Sequence, residues 1–125
     1  MPYVISEPET RTVVQTLRIN NTFVDVAATR TVDHVSIDDF NVHMPLNNPA
    51  GIAIEVWWSL CYLDGTVLFP VQQEHTRLDV PTAGQPLLDA MNAPVPPGMS
   101  VYGATKTALY NLLETLGKIP AGEIV

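Results

Sequence analysis

The sequence is poor in cysteine and in positive charge, and both shortages exclude classes of site. Its 125 residues include one cysteine, Cys61, so no disulfide forms within the chain and a cysteine-based zinc site is not expected. Only 6 lysines and arginines stand against 13 aspartates and glutamates, which gives a net charge of −7. Phosphate backbones and anionic membrane surfaces attract clustered Lys and Arg. We therefore expect neither a nucleic acid nor a membrane as partner.

Long apolar runs, a leader segment and nucleotide-binding glycine patterns are also missing. No apolar run approaches the roughly 18 residues that a membrane span needs. The first residues have neither the basic nor the apolar region of a secretory signal, so we expect none. The 7 glycines are scattered and form no GxGxxG or P-loop pattern. Since no constellation of catalytic or cofactor-binding residues stands out either, we expect a protein that is not an enzyme and holds no cofactor.

What the sequence has is enough apolar material for one folded domain. Hydrophobic residues make up 46% of the chain and charged residues 15%, a composition that argues against disorder. The length fits a single domain. The texture divides it into an N-terminal arm at residues 1–10, a β region at 11–78, a Pro-rich connector at 79–99, a helix at 100–117 and a C-terminal tail at 118–125.

The β region contains several predicted strands, separated or interrupted by recognisable turn and bulge signals. Asn20-Asn21 predicts a turn between the first two strands. In VDHVSIDDFNVHM, Val35 and Ile37 are apolar at odd positions, whereas Phe40, Val42 and Met44 are apolar at even positions. A strand cannot change its buried face without an extra residue, so Asp38-Asp39 should form a bulge or a turn. The sequence predicts an α+β, mainly β fold, with an antiparallel β-sandwich or barrel-like domain over residues 11–78 and an amphipathic helix over residues 100–116.

The stretch IEVWWSLCYLDGTVLFP, residues 54–70, reads as a hairpin that is apolar on both faces. Asp64-Gly65 is a strong two-residue turn signal. Pro70 has no N–H to give to a neighbouring strand, so a bulge lies close to it or the register shifts by one residue. In both cases the second strand should be a sheet edge. One face packs on the core, and the other needs a cover.

The C-terminal third predicts helices. Thr82 is placed to cap a short helix that runs through Met91. In SVYGATKTALYNLLETLG, Ser100 is a good N-cap and Gly117 a good residue to end the helix. The apolar stripe consists of Val101, Ala104, Ala108, Leu109, Leu112, Leu113 and Leu116. Tyr110 falls on the polar side of this stripe.

Two features leave chemical alternatives open. Asp39, Asn41 and His43 share one face of an extended strand, where they form either a set of metal ligands or an ordinary solvated face. Trp57 lies on the hairpin face opposite Trp58, and an exposed tryptophan can serve as a sugar-binding platform. A monomeric ligand-binding β-sandwich, with a carbohydrate as ligand, is therefore the alternative to an assembly protein.

Apolar residues without an evident cover favour the assembly hypothesis. Arms and tails with apolar residues at both ends are typical of proteins that clasp neighbours, and a tail can add a strand to a neighbour's sheet edge. We predict a homo-oligomer or an array of proteins in contact with one another. The candidate interface residues are Trp57, Pro70, Tyr110, Ile119, Ile124 and Val125.

The hairpin VWWSLCYLDGTVL, aromatic-rich and followed by Asp-Gly, resembles segments of small structural proteins in tailed-bacteriophage virions. The resemblance covers roughly residues 52–72, together with the acidic, nearly cysteine-free and strand-rich texture of the chain. It implies a tail, baseplate or capsid-associated component located in the virion, or in the cytoplasm if the protein belongs to no particle. It transfers no functional residue.

Overall fold

The computed structural model describes residues 2–125, except for the side chains of Pro49 and Pro81. Its described strands form one antiparallel sheet in the order β4-β3-β2-β1-β5. The strands are β1 Tyr3–Ile19, β2 Thr22–His43, β3 Ala53–Asp64, β4 Val67–Asp79 and β5 Gly122–Ile124. The helices are α1 Gln85–Asn92 and α2 Val101–Thr115, with a 3-10 turn at Pro49–Gly51 and a π-helical turn at Val80–Gly84.

The α+β, mainly β class with a C-terminal helix is confirmed. The described strands form a single sheet and not the two sheets of a sandwich. The two helices pack on this sheet in the position that the second sheet would occupy. Leu87 of α1 and Leu109 and Leu113 of α2 belong to the same buried cluster as Val35 and Leu60 of the sheet. The core is therefore one layer of helices packed against one sheet face.

Strand register explains which residues face this core. Val35 of β2 pairs with Tyr3 on one side and Leu60 on the other, and all three are buried. A register shift between Ile37 and Asp39 leaves Asp38 as an extra residue, which confirms the predicted bulge. Because of this bulge, the apolar residues on both sides of it point into the same core.

The β3–β4 hairpin has its turn one residue later than predicted. Asp64 pairs with Val67, so the two-residue loop is Gly65-Thr66, and Gly65 has the positive φ of 63° that such a turn favours. The register shifts between Leu60 and Cys61, and Cys61 pairs with Pro70. The bulge predicted near Pro70 is therefore present, and β4 is a sheet edge as expected.

The two ends of the chain correct the sequence-based division. Residues 3–10 are not a free arm, because they open β1, which lies between β2 and β5. Tyr3 and Ile5 are buried in the core. The C-terminal tail is not free either, since Ile119 is buried and Gly122–Ile124 pairs with the start of β1. Short segments that look too broken to fold alone are stabilised here by pairing with each other; Met1 lies outside the described residues.

Helix α2 begins and ends as predicted, but its buried surface is wider. The Ser100 side chain accepts a hydrogen bond from the Gly103 N–H at 3.0 Å, and Gly117 has a φ of 69°. Tyr110, predicted on the polar side, is only 1% exposed, whereas Val101 is 70% exposed. The prediction for Tyr110 is wrong because it assumed one packing partner. The helix instead packs on α1 beside Leu112 and on the sheet through Tyr110, which stacks on Tyr3 and donates its hydroxyl to the Val35 carbonyl.

Gly122 lies where the two chain ends pair, at a position with no room for a side chain. A Cβ atom at Gly122 would overlap the Val4 carbonyl oxygen and lie 2.8 Å from Tyr3 Cε1. We expect Gly122→Ala to lower the free energy of unfolding by about 1–3 kcal/mol, since overpacking forces backbone to move. Urea denaturation measures this. The control is Glu123→Ala, an exposed position of the same strand, whose effect should stay within about 0.5 kcal/mol; equal effects would contradict the prediction.

Candidate protein–protein interface

The outer halves of β1 and β2 project from the sheet as a two-stranded ribbon. Thr10 pairs with Thr31, and the pairing continues without interruption to Ile19 and Thr22. Strand β3 pairs only with residues 34–43 of β2, and β5 only with residues 3–5 of β1. Within residues 2–125, both edges of this ribbon therefore lack a neighbouring strand. We call residues 10–31 the β1–β2 arm.

The arm ends in the turn that Asn20-Asn21 predicts. Asn20 has a φ of 50° and Asn21 a φ of 61°, the two positive angles of a type I′ turn. The Arg18 guanidinium donates to Asn21 Oδ1 at 2.9 Å, and Thr16 Oγ1 donates to Asp25 Oδ1 at 2.7 Å. The tip of the arm is thus a regular, hydrogen-bonded hairpin end.

Polar contacts fix the base of the arm to the β3–β4 hairpin. Arg11 Nη1 donates to Gln72 Oε1 at 2.8 Å, and Gln15 Nε2 donates to the Tyr62 hydroxyl at 2.7 Å. The Arg30 guanidinium lies 5.1 Å from the centre of the Tyr62 ring, within range of a cation–π interaction. The base is held in a fixed direction, and the tip carries no comparable contact among the described residues.

The exposed surface of the arm is unusually apolar. Cross-strand pairing places Leu17 with Val24 and Gln15 with Val26, so these side chains share one face. Six large apolar residues of the arm are exposed: Val14 62%, Leu17 43%, Ile19 50%, Phe23 74%, Val24 40% and Val26 40%. Leu17, Ile19, Val24 and Val26 share one face of the ribbon, whereas Val14 and Phe23 lie on the other face. An isolated two-stranded hairpin is only marginally stable in water, and exposed apolar patches mark interaction sites.

A second exposed apolar region lies on the body, between β2 and the start of α2. It is a groove of about 500 Å³, which we call the α2 groove. Val101 and Tyr102, on its rim, are 70% and 74% exposed. Its lining residues are Ile37, Asp38, Asp39, Phe40, Met91, Val101, Tyr102, Thr105, Lys106 and Leu109. The groove is apolar in its floor and charged at its edge.

The sheet face opposite the helices is polar in the first half of β3 and the last half of β4. Trp57 stacks on His75, with ring centres 4.7 Å apart, and Glu55 lies within ion-pair distance of His75 and Arg77. Ser59, which is fully buried, donates to Asp38 Oδ2 at 2.5 Å. The side chains on this face form stacking, ion-pair and hydrogen-bond contacts with one another. The face therefore requires less burial by another surface than its sequence indicates.

The six predicted interface residues do not form one surface. Tyr110 and Ile119 are buried in the core of their own chain, and Ile124 is half-buried in β5. Trp57 is half-buried under His75. Pro70 and Val125 are exposed, on the edge strand β4 and at the C-terminus.

Sequence reasoning missed both surfaces described above. It predicted strands on both sides of Asn20-Asn21 but could not show that they extend past the rest of the sheet. The sequence signal for the arm is the number of apolar residues in the strands flanking Asn20-Asn21, which exceeds what the rest of the sequence offers for them to pack against. The α2 groove had no signal, because Val101 was expected to lie in the buried stripe of the helix.

The candidate metal ligands are on the surface. Asp39, Asn41 and His43 are all exposed. Across residues 2–125, no three His, Cys, Asp or Glu side chains lie close enough to hold a metal ion. The same part of the chain contains no helix that is long and apolar enough to cross a membrane.

Comparisons with known proteins return nothing similar: no family model, no curated protein and no solved structure matches this chain. Inferences on its function therefore rest on its own residues and their geometry.

The one cysteine is built to be unreactive. Cys61 is 2% exposed, and burial raises the pKa of its thiol from 9.0 to about 11, with the nearby Asp38 carboxylate acting in the same direction. We expect slow alkylation at pH 8 in the native protein and fast alkylation after denaturation, because the thiolate is the nucleophile. Rapid alkylation of the native protein would contradict the assignment.

The same shift predicts a pH dependence of stability. The unfolded chain loses the thiol proton at a lower pH than the folded chain. The contribution of the protonated Cys61 to the free energy of unfolding is therefore complete below pH 9 and falls as the pH rises toward 11. The loss should reach about 2 kcal/mol. Denaturation of the protein and of Cys61→Ala between pH 7 and 11 measures it, since the variant should lack this part of the slope. Parallel curves would contradict the expectation.

Proposed function

We propose that this protein is a non-enzymatic assembly protein, which forms homo-oligomers or a larger array through its β1–β2 arm. One observation carries the proposal: an ordered ribbon, anchored at its base, exposes six large apolar side chains and two unpaired strand edges. Exposed edges and apolar strands lead to aggregation unless they are blunted or paired. A chain that keeps both on an ordered arm is suited to pairing with another protein.

The arm offers two kinds of binding at once. Its unpaired backbone groups can add to a neighbour's sheet, and its alternating side chains can fill pockets beside that sheet. A stable interface buries about 800 Å² on each partner. Residues 10–31 form a ribbon roughly 30 Å long at about 3.3 Å per residue, long enough for such a contact.

The proposed partners are proteins, and the proposed setting is a tailed-phage virion. The support for the setting is the sequence resemblance around residues 52–72. The support for protein partners is the apolar arm, together with the net charge of −7, which disfavours nucleic acids and anionic membranes. The carbohydrate alternative has no observation in its favour, because His75 covers one face of the Trp57 ring.

Shortening the arm tests the proposal. We would replace residues 13–28 by Asn-Gly, so that Thr12 and Thr29, which already pair, flank a two-residue turn. The full chain should run as a defined oligomer in light scattering coupled to size-exclusion chromatography, and the shortened chain as a folded monomer. The body should keep its circular dichroism and cooperative unfolding, because the buried residues lie outside the removed segment. Removing the chain ends is uninformative, since Tyr3 and Ile119 are core residues.

A point variant and a matched control sharpen this test. Leu17→Ser, at an arm position that is 43% exposed, should weaken association without lowering the stability of the body. Leu46→Ser, at a position outside the arm that is 91% exposed, should leave association unchanged. A full chain that stays monomeric at high micromolar concentration, or a shortened chain that still assembles, would overturn the proposal.

A further inference from the structure

We propose that two copies of this chain form a closed dimer in which one face of the β1–β2 arm packs on the same face of the second copy. The face is the one that continues the helix-covered side of the sheet. It consists of Leu17, Ile19, Val24 and Val26 of the arm with Val67 and Phe69 of the β3–β4 hairpin, and we call it the open face. This inference rests on the proposed function and adds the face used, its occupant and the symmetry of the contact.

The helix-covered side of the sheet continues onto the arm. Val32 belongs to the buried core cluster, and the cross-strand pairing is regular from Val32 to the turn. Because side chains alternate along a strand, Val26 and Val24 leave the same side of β2 as Val32. Leu17 pairs directly with Val24, so it lies on this side of β1. Every residue from 16 to 27 is exposed, so the described helices leave this part of the face uncovered.

The end of the β3–β4 hairpin extends the same surface. Leu60 is part of the core cluster, and Tyr62 follows it on the same side of β3. Phe69 pairs with Tyr62 and stacks on it with ring centres 5.4 Å apart, and Val67 lies two residues nearer the turn. Phe69 is 37% exposed and Val67 is 53% exposed. Since Gln15 of the arm also contacts Tyr62, the two exposed apolar patches meet at this ring.

The open face carries no charged side chain along the arm between Val13 and Ala28. Its charged neighbours lie at the borders, with Arg11 and Arg30 at the base of the arm and Asp64 at the hairpin turn. A two-fold contact brings one surface against a second copy of itself, so a face with charge of one sign would repel its partner. An uncharged apolar face meets its own copy without that repulsion.

The other face of the arm lacks this property. Arg18 and Asp25 lie on it in neighbouring cross-strand pairs, together with Phe23 and Val14. A partner on that face would take two charged side chains out of water, which is unfavourable for each of them. The open face is therefore the side of the arm that a second copy covers at the lower cost.

The exposed area of the chain matches what a stable dimer needs. The chain exposes 7864 Å² of surface. A compact folded chain of 13.7 kDa exposes about 6,600 Å², so this chain exposes about 1,300 Å² in excess. Obligate homodimers bury roughly 1,000–2,500 Å² on each copy. A second copy that covers the excess gives an interface of that size, and a two-fold axis closes the contact at two copies.

Substitutions in neighbouring pairs on opposite faces test the inference. Val26 lies on the open face and is 40% exposed, whereas Val14 lies on the other face and is 62% exposed. In sedimentation velocity the full chain should form a dimer of twice 13.7 kDa. Val26→Glu should raise the dissociation constant at least about tenfold, because its carboxylate would be buried without a partner. Val14→Glu should leave the constant unchanged, although its position is the more exposed of the two.

Cysteine protection shows which face is covered. Val26→Cys and Val14→Cys each add one exposed thiol to a chain whose own Cys61 is buried. As the protein concentration rises, alkylation of Val26→Cys should slow with dimer formation, whereas alkylation of Val14→Cys should keep its rate. Val67→Ser, on the hairpin and outside the arm, should weaken the dimer as well. Circular dichroism checks the fold of every variant.

The outcomes separate this inference from the proposed function. If Val14→Glu abolishes association and Val26→Glu does not, the arm binds through its other face, and this inference alone is overturned. A complex in which Val26→Cys stays as reactive as in the monomer, or whose smallest form exceeds two copies, also overturns it alone. If the chain with the shortened arm still assembles, the proposed function fails, and this inference fails with it.

Discussion

The stacked pair of Tyr3 and Tyr110 is the contact on which the rest of the structure depends. Their ring centres are 5.0 Å apart, and the Tyr110 hydroxyl donates to the Val35 carbonyl at 3.1 Å and accepts from the Ile37 N–H at 3.3 Å. The Tyr3 hydroxyl donates to the Pro120 carbonyl at 2.7 Å. The first strand, the last helix, the C-terminal segment and the bulged part of β2 meet at these two side chains. Burial raises the pKa of both phenols, so this contact is neutral over the physiological range.

Fixing both chain ends in the core has a consequence for the remainder of the chain. Strand β1 pairs with β5 only over residues 3–5, and β2 pairs with β3 only over residues 34–43. Their continuation has no core to cover, so it projects as the β1–β2 arm. Its apolar side chains are then a cost to an isolated molecule in water and a source of binding free energy once another surface covers them.

The β1–β2 arm and the α2 groove are two exposed apolar surfaces of the described residues. They differ in shape, since one is a ribbon and the other a concave site. The polar face of the sheet, with its Trp57–His75 stack, contributes to neither.

The sequence by itself determined the strands and helices and the positions of their turns, bulges and helix ends. The Asn20-Asn21 turn, the bulge at Asp38, the bulge beside Pro70 and the limits of α2 all follow from local rules of backbone sterics, strand alternation and capping. Tertiary structure alone decided that the chain ends lie in the core, that Tyr110 is buried and that the arm is free. These outcomes depend on contacts between residues far apart in the chain, such as Tyr3 with Tyr110, and local patterns carry no information on which distant residues meet.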